Sequence, residues 1–336
     1  MGGDGVLLIN KGEGLSSFGV IEKLQIALRE TKGIKRRDLP KMGHGGTLDP
    51  FATGLLAVCV GRAVKLARYF LGSTKVYEAR MRFGETTLPG DPTEAVSERS
   101  DVLPESLEAI REMAHRMTLQ PYAQKPPMHS AKKKDGKPLY ELARQGIEIE
   151  REAKICRLYD FQVLGFEGRC ADIAVACSSG TYIRTLSQDL ARLLGTVGML
   201  ESLHRIRSGA LDVAQAWTLE QVIEATRAGR EWDSLPCWKP FDRMLDGYAR
   251  AELTADEARD LIHGKQQVLL QIARRVRPAP MPAPVLSRDS QPYPLYAEED
   301  GSERVALYHE EHLIGVAQRL QGVWGIERVF PPGQPD

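Results

Sequence analysis

The sequence predicts a mixed α/β protein with a large first core and a smaller second one, on three observations. Short apolar or alternating runs, GVLLIN, KVYEARMRF and ADIAVAC among them, carry the period of strands. Between them lie stretches with helical period, such as the one beginning near Phe18 and the one from Leu107 to Met117. Finally, 336 residues are enough for a sizeable core plus a second, smaller domain.

Composition narrows the class. Hydrophobic residues at 42% and charged residues at 27% fit an ordinary soluble globular protein. The five cysteines, Cys59, Cys156, Cys170, Cys177 and Cys237, form no C-x-x-C pair, so neither a disulfide framework nor a zinc site is signalled. A reducing cytoplasm is the expected compartment. With no basic-plus-apolar leader and no apolar run of spanning length, no membrane partner is expected.

The 45 basic and 45 acidic residues cancel, yet they are unevenly placed. Lys32 to Lys41 holds five basic residues against one Asp, Arg62 to Arg82 six against one Glu, and Lys125 to Lys137 five against one Asp. Acidic residues collect in Asp91 to Glu112 and Glu298 to Glu311. Each cluster alone reads as a solvated face, but three near one glycine-rich loop favour a path for a polyanion.

In chain order, DGVLLINKGEG reads as a strand and a turn, with Ser16 or Ser17 capping the helix near Phe18. ETKGIKRRDLPK is an exposed basic connector. GLLAVCVGRAVKLARYFL reads as an apolar segment turning into a helix, with Thr47 or Thr53 as its cap. STKVYEARMRFG alternates as a half-buried strand, and a turn-rich stretch then leads to the Leu107–Met117 helix. A short helix is expected from Leu139 to Gln145. ICRLYDFQVLGFEG and ADIAVACSSG are adjacent strands, the second apolar enough to be central. Gly180 and Thr181 then start a helix with Arg184 in its first turn, where the dipole opposes a cation, so a carboxylate partner is the natural reason for it. From Trp217 the chain reads as helix, and GREWDSLPCWKPFDRML as a linker or docking segment. Beyond it come a helix in LTADEARDLIHG, an exposed Pro-rich loop in PAPMPAPVLSRDSQPYP and a strand pair in HLIGVAQRLQGVWGIERVF.

The densest chemistry lies in Lys41 to Leu56, KMGHGGTLDPFATGLL, with one His, one Asp, four Gly, one Pro and two Thr. Gly43, Gly45 and Gly46 permit positive φ or close approach, and Pro50 pushes Asp49 towards an extended loop conformation. A turn Asp is commonly a helix cap.

The longer string KMGHGGTLDPFATGLLAVCVGRAVK closely resembles the motif around the nucleophilic aspartate of tRNA pseudouridine synthases of the TruB type. Further stretches agree, so the resemblance covers nearly all of residues 5–210. Lys11 and Gly14 match the family's Lys-Pro-x-Gly-x-Thr/Ser pattern, with Gly12 in place of the Pro. Lys75 and Tyr77 match Lys-x-Tyr. Gly90-Asp91 remains of a Thr-Asp-Thr-x-Asp stretch that otherwise drifts. QKPPMHSAKKKDGKPLYELARQG matches through Gln124, Pro126, Pro127, Ser130, Gly136, Tyr140 and Arg144. Leu203, Arg205 and Gly209 match the closing Leu-x-Arg-x-x-x-Gly, with His204 where Arg is frequent.

The resemblance implies a mixed α/β fold around a mostly antiparallel sheet, with a catalytic domain over residues 1–245, an RNA-binding insertion near 86–150, and a small β-rich PUA-like RNA-binding module over 246–336. It implies Asp49 as the catalytic carboxylate, Arg184 as its ion-pair partner and Tyr77 as the ring stacking on the target uracil. Leu203 would line the uracil pocket, while Lys11, Lys132, Lys133 and Arg205 would contact RNA. His44, between two glycines, would stack on bases displaced with the target. Isomerising uridine to pseudouridine is redox-neutral and needs no cofactor, in keeping with a sequence that carries no P-loop, dinucleotide fingerprint or metal-ligand cluster. It needs an ionised carboxylate, acting at C1′ or C6 or as base at C2′, and a base flipped out of its stack.

The resemblance implies uridine 55 in the T loop of tRNA as the substrate, and the splayed bases of such a loop lower the cost of flipping. The KPLYELARQG stretch looks like the stand-alone bacterial type, so no guide RNA and a monomer are expected. A hydrolase using Asp49 would need a separate base, with only His44 near in sequence. A non-catalytic RNA-binding or tRNA-folding chaperone would use the basic clusters alone.

Overall fold

The computed structural model describes residues 3–128, 149–279, 293–296 and 303–331, and the backbone of 133–134 and 137–138. Its centre is a sheet of β1 (Gly5–Lys11), β3 (Thr53–Val60), β4 (Lys75–Phe83), β5 (Leu158–Glu167), β6 (Cys170–Cys177) and β7 (Gly198–Ser208). The spatial order is β5-β6-β4-β7-β3-β1; β2 (Met42–His44) pairs with β3, and the short segments Trp217–Thr218 and Trp238–Pro240 pair with β1. Among the described residues, pairing in this sheet is antiparallel except between β7 and β3 and between β1 and Trp217–Thr218. The mixed α/β class and the mostly antiparallel sheet are as expected.

β3 and β1 are apolar along most of their length because both of their faces are covered. Leu55, Leu56 and Val58 of β3 and Leu7, Leu8 and Ile9 of β1 have no exposed surface. Each such side chain contributes about 1.5–3 kcal/mol by leaving water.

Here one expectation fails. GLLAVCV is strand, not the approach to a helix, and neither Thr47 nor Thr53 caps one: Thr53 opens β3, and its hydroxyl lies 2.8 Å from His204 Nδ1. An apolar run of this length suits a buried strand or a buried helix equally, and β-branched Val58 and Val60 favour the strand. Only after a 3-10 turn at Gly61–Leu66 does α2 (Ala67–Leu71) form.

α1 (Ser17–Lys32) starts where the serines predict. Ser16 is its N-cap, accepting from Gly19 N–H, and the helix ends at Gly33, whose φ is 64°. It buries Val20, Ile21, Leu24, Ala27 and Leu28 and packs on α5 (Leu219–Arg227), which a Thr218/Gln221 capping box opens. α3 (Leu107–Thr118) lies on β5, and α4 (Ile183–Leu193) on β7. The stretch expected as a linker or docking segment docks: Trp232, Trp238 and Phe241 are buried in the main core. All five cysteines are free thiols.

A second sheet follows, ordered β8 (Ala249–Glu252), β9 (Glu303–His309), β10 (His312–Leu320), β11 (Val323–Val329). The alternation of β9 divides its side chains between two cores. Val305 and Leu307 pack under α6 (Ala255–Ile262) and α7 (Val268–Ile272), whereas Ala306 and Tyr308 join the main core. Within the Pro-rich stretch expected to be exposed, residues 280–292 lie outside the described residues, and Tyr293 is buried. The expected helix at Leu139–Gln145 also lies outside them. Among the described residues, no helix is long and apolar enough to cross a membrane.

Candidate active site

The loop between β2 and β3 is fixed from three sides. A Cβ on Gly45 would stand 2.7 Å from Phe70 Cβ, and Gly46 has φ 142°, so both positions call for glycine. Ser17, in the first turn of α1, accepts from Leu48 N–H at 2.8 Å and donates to Leu48 O at 3.1 Å. Lys11, at the end of β1, donates to the carbonyls of Gly12 (2.8 Å), Leu15 (2.9 Å) and Pro50 (3.2 Å). Opposite, Arg205 of β7 donates to Leu55 O (2.8 Å), Gly46 O (3.1 Å) and Thr47 O (3.3 Å). Asp49 therefore projects from a clamped loop.

Beside it opens a cleft of about 320 Å³, lined by Gly46, Thr47, Leu48, Asp49, Leu71, Lys75, Tyr77, Gly180, Thr181, Tyr182, Ile183, Arg184, Leu203 and Arg205. Tyr77 is placed there by β4, where it faces Val175 of β6 and Arg205 of β7 across the sheet. Leu203 comes from β7, beside Ala79. Tyr77 and Leu203 are buried, whereas about a third of the Asp49 side chain, 34%, stays open to solvent. A carboxylate beside a flat apolar and aromatic surface suits a planar base presented edge-on to it.

Arg184 enters from α4. That helix starts at Ile183 after Tyr182, later than Gly180 and Thr181 suggested, because Gly180 sits at φ 72° and the Thr181 hydroxyl donates to Ser178 O (2.9 Å). Gln124 brackets the Tyr182 peptide, donating to its carbonyl (2.9 Å) and accepting from its N–H (2.7 Å). The guanidinium places Nε 3.0 Å from Asp49 Oδ2 and Nη2 3.3 Å from Oδ1, a two-point pair. It also holds Asp91 Oδ2 at 3.2 Å and Pro89 O at 2.9 Å.

Asp91 is the residue that sequence reasoning missed. Its signal in the sequence is Gly90-Asp91, which remains of a stretch that otherwise drifts. The turn bearing it is pinned: Thr87 Oγ1 donates to Asp91 O (2.6 Å), and Gly90 O accepts from Leu200 N–H (3.0 Å). Lys75, which in the sequence only completes the Lys-x-Tyr match, is a second such residue. It is buried, and its ammonium donates to Phe70 O and Ser73 O, both at 2.7 Å.

The electrostatics follow from burial. Desolvation pushes the Asp49 carboxyl up from its ordinary value; Arg184 and Lys11 oppose the rise and Asp91 adds to it. Burial likewise raises the Tyr77 hydroxyl, against the hydrogen-bonded Arg205, so it stays protonated at neutral pH. Burial lowers Lys11 to about 8.

Asp49, Tyr77, Arg184, Leu203 and Arg205 thus converge on one cleft, while Lys11 and His44 do not line it. Lys11 and Arg205, expected to touch RNA, are 1% and 2% exposed and hold backbone carbonyls. His44 lies on β2 with a buried Nδ1 that lacks a hydrogen bond among the described residues, and burial lowers its pKa, so its ring is neutral. Lys132 and the side chain of Lys133 lie outside the described residues. Among those described, no cluster of His, Cys, Asp or Glu is arranged to hold a metal ion.

Residues 32–183 match the N-terminal domain of TruB family pseudouridylate synthases, and residues 184–246 match the tRNA pseudouridylate synthase B C-terminal domain. The chain is 44% identical to tRNA pseudouridine synthase B of Bordetella avium (strain 197N) over 227 residues, 66% of this chain and 88% of that one. It is 37% identical to the protein of that name from Hydrogenovibrio crunogenus (strain DSM 25203 / XCL-2) over 261 residues, 78% and 80% of the two chains. In fold it is similar to a chain of a Cbf5-Nop10-Gar1 complex, with TM-score 0.67 and 20% identity over 98% of this chain and 85% of that one. A chain of an H/ACA RNP bound to a substrate RNA containing 2′-deoxyuridine gives TM-score 0.61 and 21% identity over 98% and 85%. With both family domains in succession and the aspartate, tyrosine and arginine in one cleft, the chain belongs to the TruB family of pseudouridylate synthases.

Proposed function

We propose that this protein isomerises uridine 55 in the T loop of tRNA to pseudouridine, with Asp49 as nucleophile. Pseudouridine synthesis in tRNA is what its relatives are named for. The observation that carries the finer reading is the Asp49 carboxylate, gripped at two points by Arg184 and aimed into a cleft walled by Tyr77 and Leu203.

The uridine flips out of its loop and its base stacks on Tyr77, with Leu203 against it. Arg184 keeps the Asp49 oxygens in one orientation, which removes the entropy of aligning the nucleophile. Asp49 adds to the nucleotide, the N1–C1′ bond breaks, the uracil turns, C5 joins C1′, and the bond to Asp49 breaks to give back the carboxylate. The C5 proton is lost and N1 gains one, so atoms and electrons balance without a cofactor. In this reading Tyr77, protonated at neutral pH, assists that proton transfer.

His44, Lys132 and Lys133 are proposed RNA contacts, and the 246–336 unit a second RNA-binding surface. The enzyme is proposed to act as a cytoplasmic monomer without guide RNA, finding its own uridine.

The test is pseudouridine mapping by carbodiimide-dependent reverse-transcription stops, on unmodified tRNA treated with wild type or Asp49→Asn. A single T-loop stop, present with wild type and absent with the variant, is expected. No stop from wild type, with tRNA still bound, would overturn the enzyme reading in favour of an RNA-binding or tRNA-folding one.

A further inference from the structure

Residues 293–296 return from the C-terminal part of the chain and lie along Ser73–Val76, the stretch that leads into Tyr77. Thr74 N–H donates to Leu295 O at 2.9 Å, and Thr74 Oγ1 to Pro294 O at 2.6 Å. Ser73 and Tyr296 form a one-residue antiparallel bridge. On the other flank, Gly209 N–H donates to Thr74 O at 2.8 Å, and the Ser73 and Ser208 hydroxyls are 3.1 Å apart. The returning segment thus acts as a strand at the point where the sheet would leave the Thr74 N–H without a protein partner.

Two tyrosines make it a strap. Tyr296 stacks on Tyr248, with ring centroids 3.9 Å apart, in space left by two glycines: a Cβ on Gly209 or Gly247 would stand 2.8 or 2.6 Å from its ring. Tyr293 is buried with Val76 and Ala176, and it stacks on Tyr159. Val76 and Tyr77 are successive residues of β4 and face opposite sides of the sheet. Tyr293 therefore backs the sheet behind the ring that lines the cleft.

The same turn carries Lys75, whose ammonium also donates to Ser73 Oγ (2.9 Å) and Leu71 O (3.2 Å); Leu71 and Lys75 both line the cleft. Both family domains end by residue 246, so the strap lies outside the matched region.

We propose that Tyr296 is a positioning residue: through Ser73 and Thr74, the strap holds the turn that sets Lys75 and Tyr77 in the cleft. The kinetic consequence rests on the function proposed above; the structural one does not. In the full-length Tyr296→Ala variant, hydrogen exchange of residues 70–79 should quicken about 10-fold. The single-turnover rate of pseudouridine formation should fall about 10-fold with tRNA affinity within about two-fold of wild type, and Tyr296→Phe, which keeps the ring, should restore both exchange and rate. If the alanine variant does not fold, Thr74→Val removes only the 2.6 Å bond and should give the same pattern at about three-fold. Unchanged exchange across 70–79 overturns the proposal, as does a defect confined to tRNA affinity. A wild type that makes no pseudouridine overturns the functional reading instead, and exchange then decides the strap alone.

Discussion

Arg184 meets Asp49 across 135 residues of sequence, with Nε 3.0 Å from Oδ2 and Nη2 3.3 Å from Oδ1. The same guanidinium is 3.2 Å from Asp91, so one cation serves two carboxylates. The pair accordingly orients Asp49 without cancelling the effect of burial on its protonation.

Asp49→Asn should abolish pseudouridine formation yet leave the protein at least as stable at neutral pH. The folded-state pKa of Asp49 lies above its ordinary value, so folding favours the protonated form. Its contribution is favourable below the ordinary value and is lost as pH rises through the folded one. Asparagine removes that cost, and Arg184 keeps Asp91 as partner. Urea titrations at neutral pH should give a gain of no more than about 1 kcal/mol, since water screens the exposed part of the side chain. The gain should vanish in acid.

Asp91→Asn removes the carboxylate that pushes Asp49 up. In single-turnover rates against pH, the acid limb should move to lower pH. The plateau should fall by about 10-fold, because Arg184 loses one of the groups that fix it. An unmoved limb would mean that Asp91 acts only in packing.

Lys11→Met separates a phosphate contact from a backbone clamp. A clamp predicts a loss of about 1–3 kcal/mol, as the Gly12, Leu15 and Pro50 carbonyls lose their donor. It also predicts an unchanged slope of log K for tRNA against log salt, where a lost phosphate contact would lower the slope by about 1. Burial lowers Lys11 to about 8, so the unfolded chain holds this proton more tightly and the residue favours folding increasingly from pH 8 towards its ordinary 10.5. The variant should lack that rise.

Tyr77→Leu should cost at least about 100-fold in turnover, because a flat stacking surface and a proton donor go together. Tyr77→Phe should keep tRNA affinity and lose less. Since burial raises the Tyr77 hydroxyl, wild-type rates should show no alkaline limb from it below its ordinary value of 10.

Most of the local structure was legible in the chain. Ser16 and Gly33 bound α1, alternation marked β4, and the continuous apolar run of β6 marked a central strand. The GHGGTLDP string located the loop that carries Asp49 to the cleft, because glycine spacing and a proline-flanked Asp are local facts. GLLAVCV misled because a short apolar run fits a buried strand or a buried helix, and only its pairing with β1 chose between them.

By itself, then, the sequence determined the family and the mixed α/β class, and it named Asp49, Tyr77 and Arg184, which the fold brings to one cleft. Tertiary structure decided their company. Arg184 is shared with Asp91, Lys11 and Arg205 turn inward to hold the loop, and Tyr293–Tyr296 returns to brace the turn before Tyr77. Each of these relations joins groups far apart in the chain, and a long cationic side chain reads the same in sequence whether it meets a phosphate or a buried carbonyl. Burial makes that choice, because a buried carbonyl without a donor costs free energy that a solvated phosphate does not.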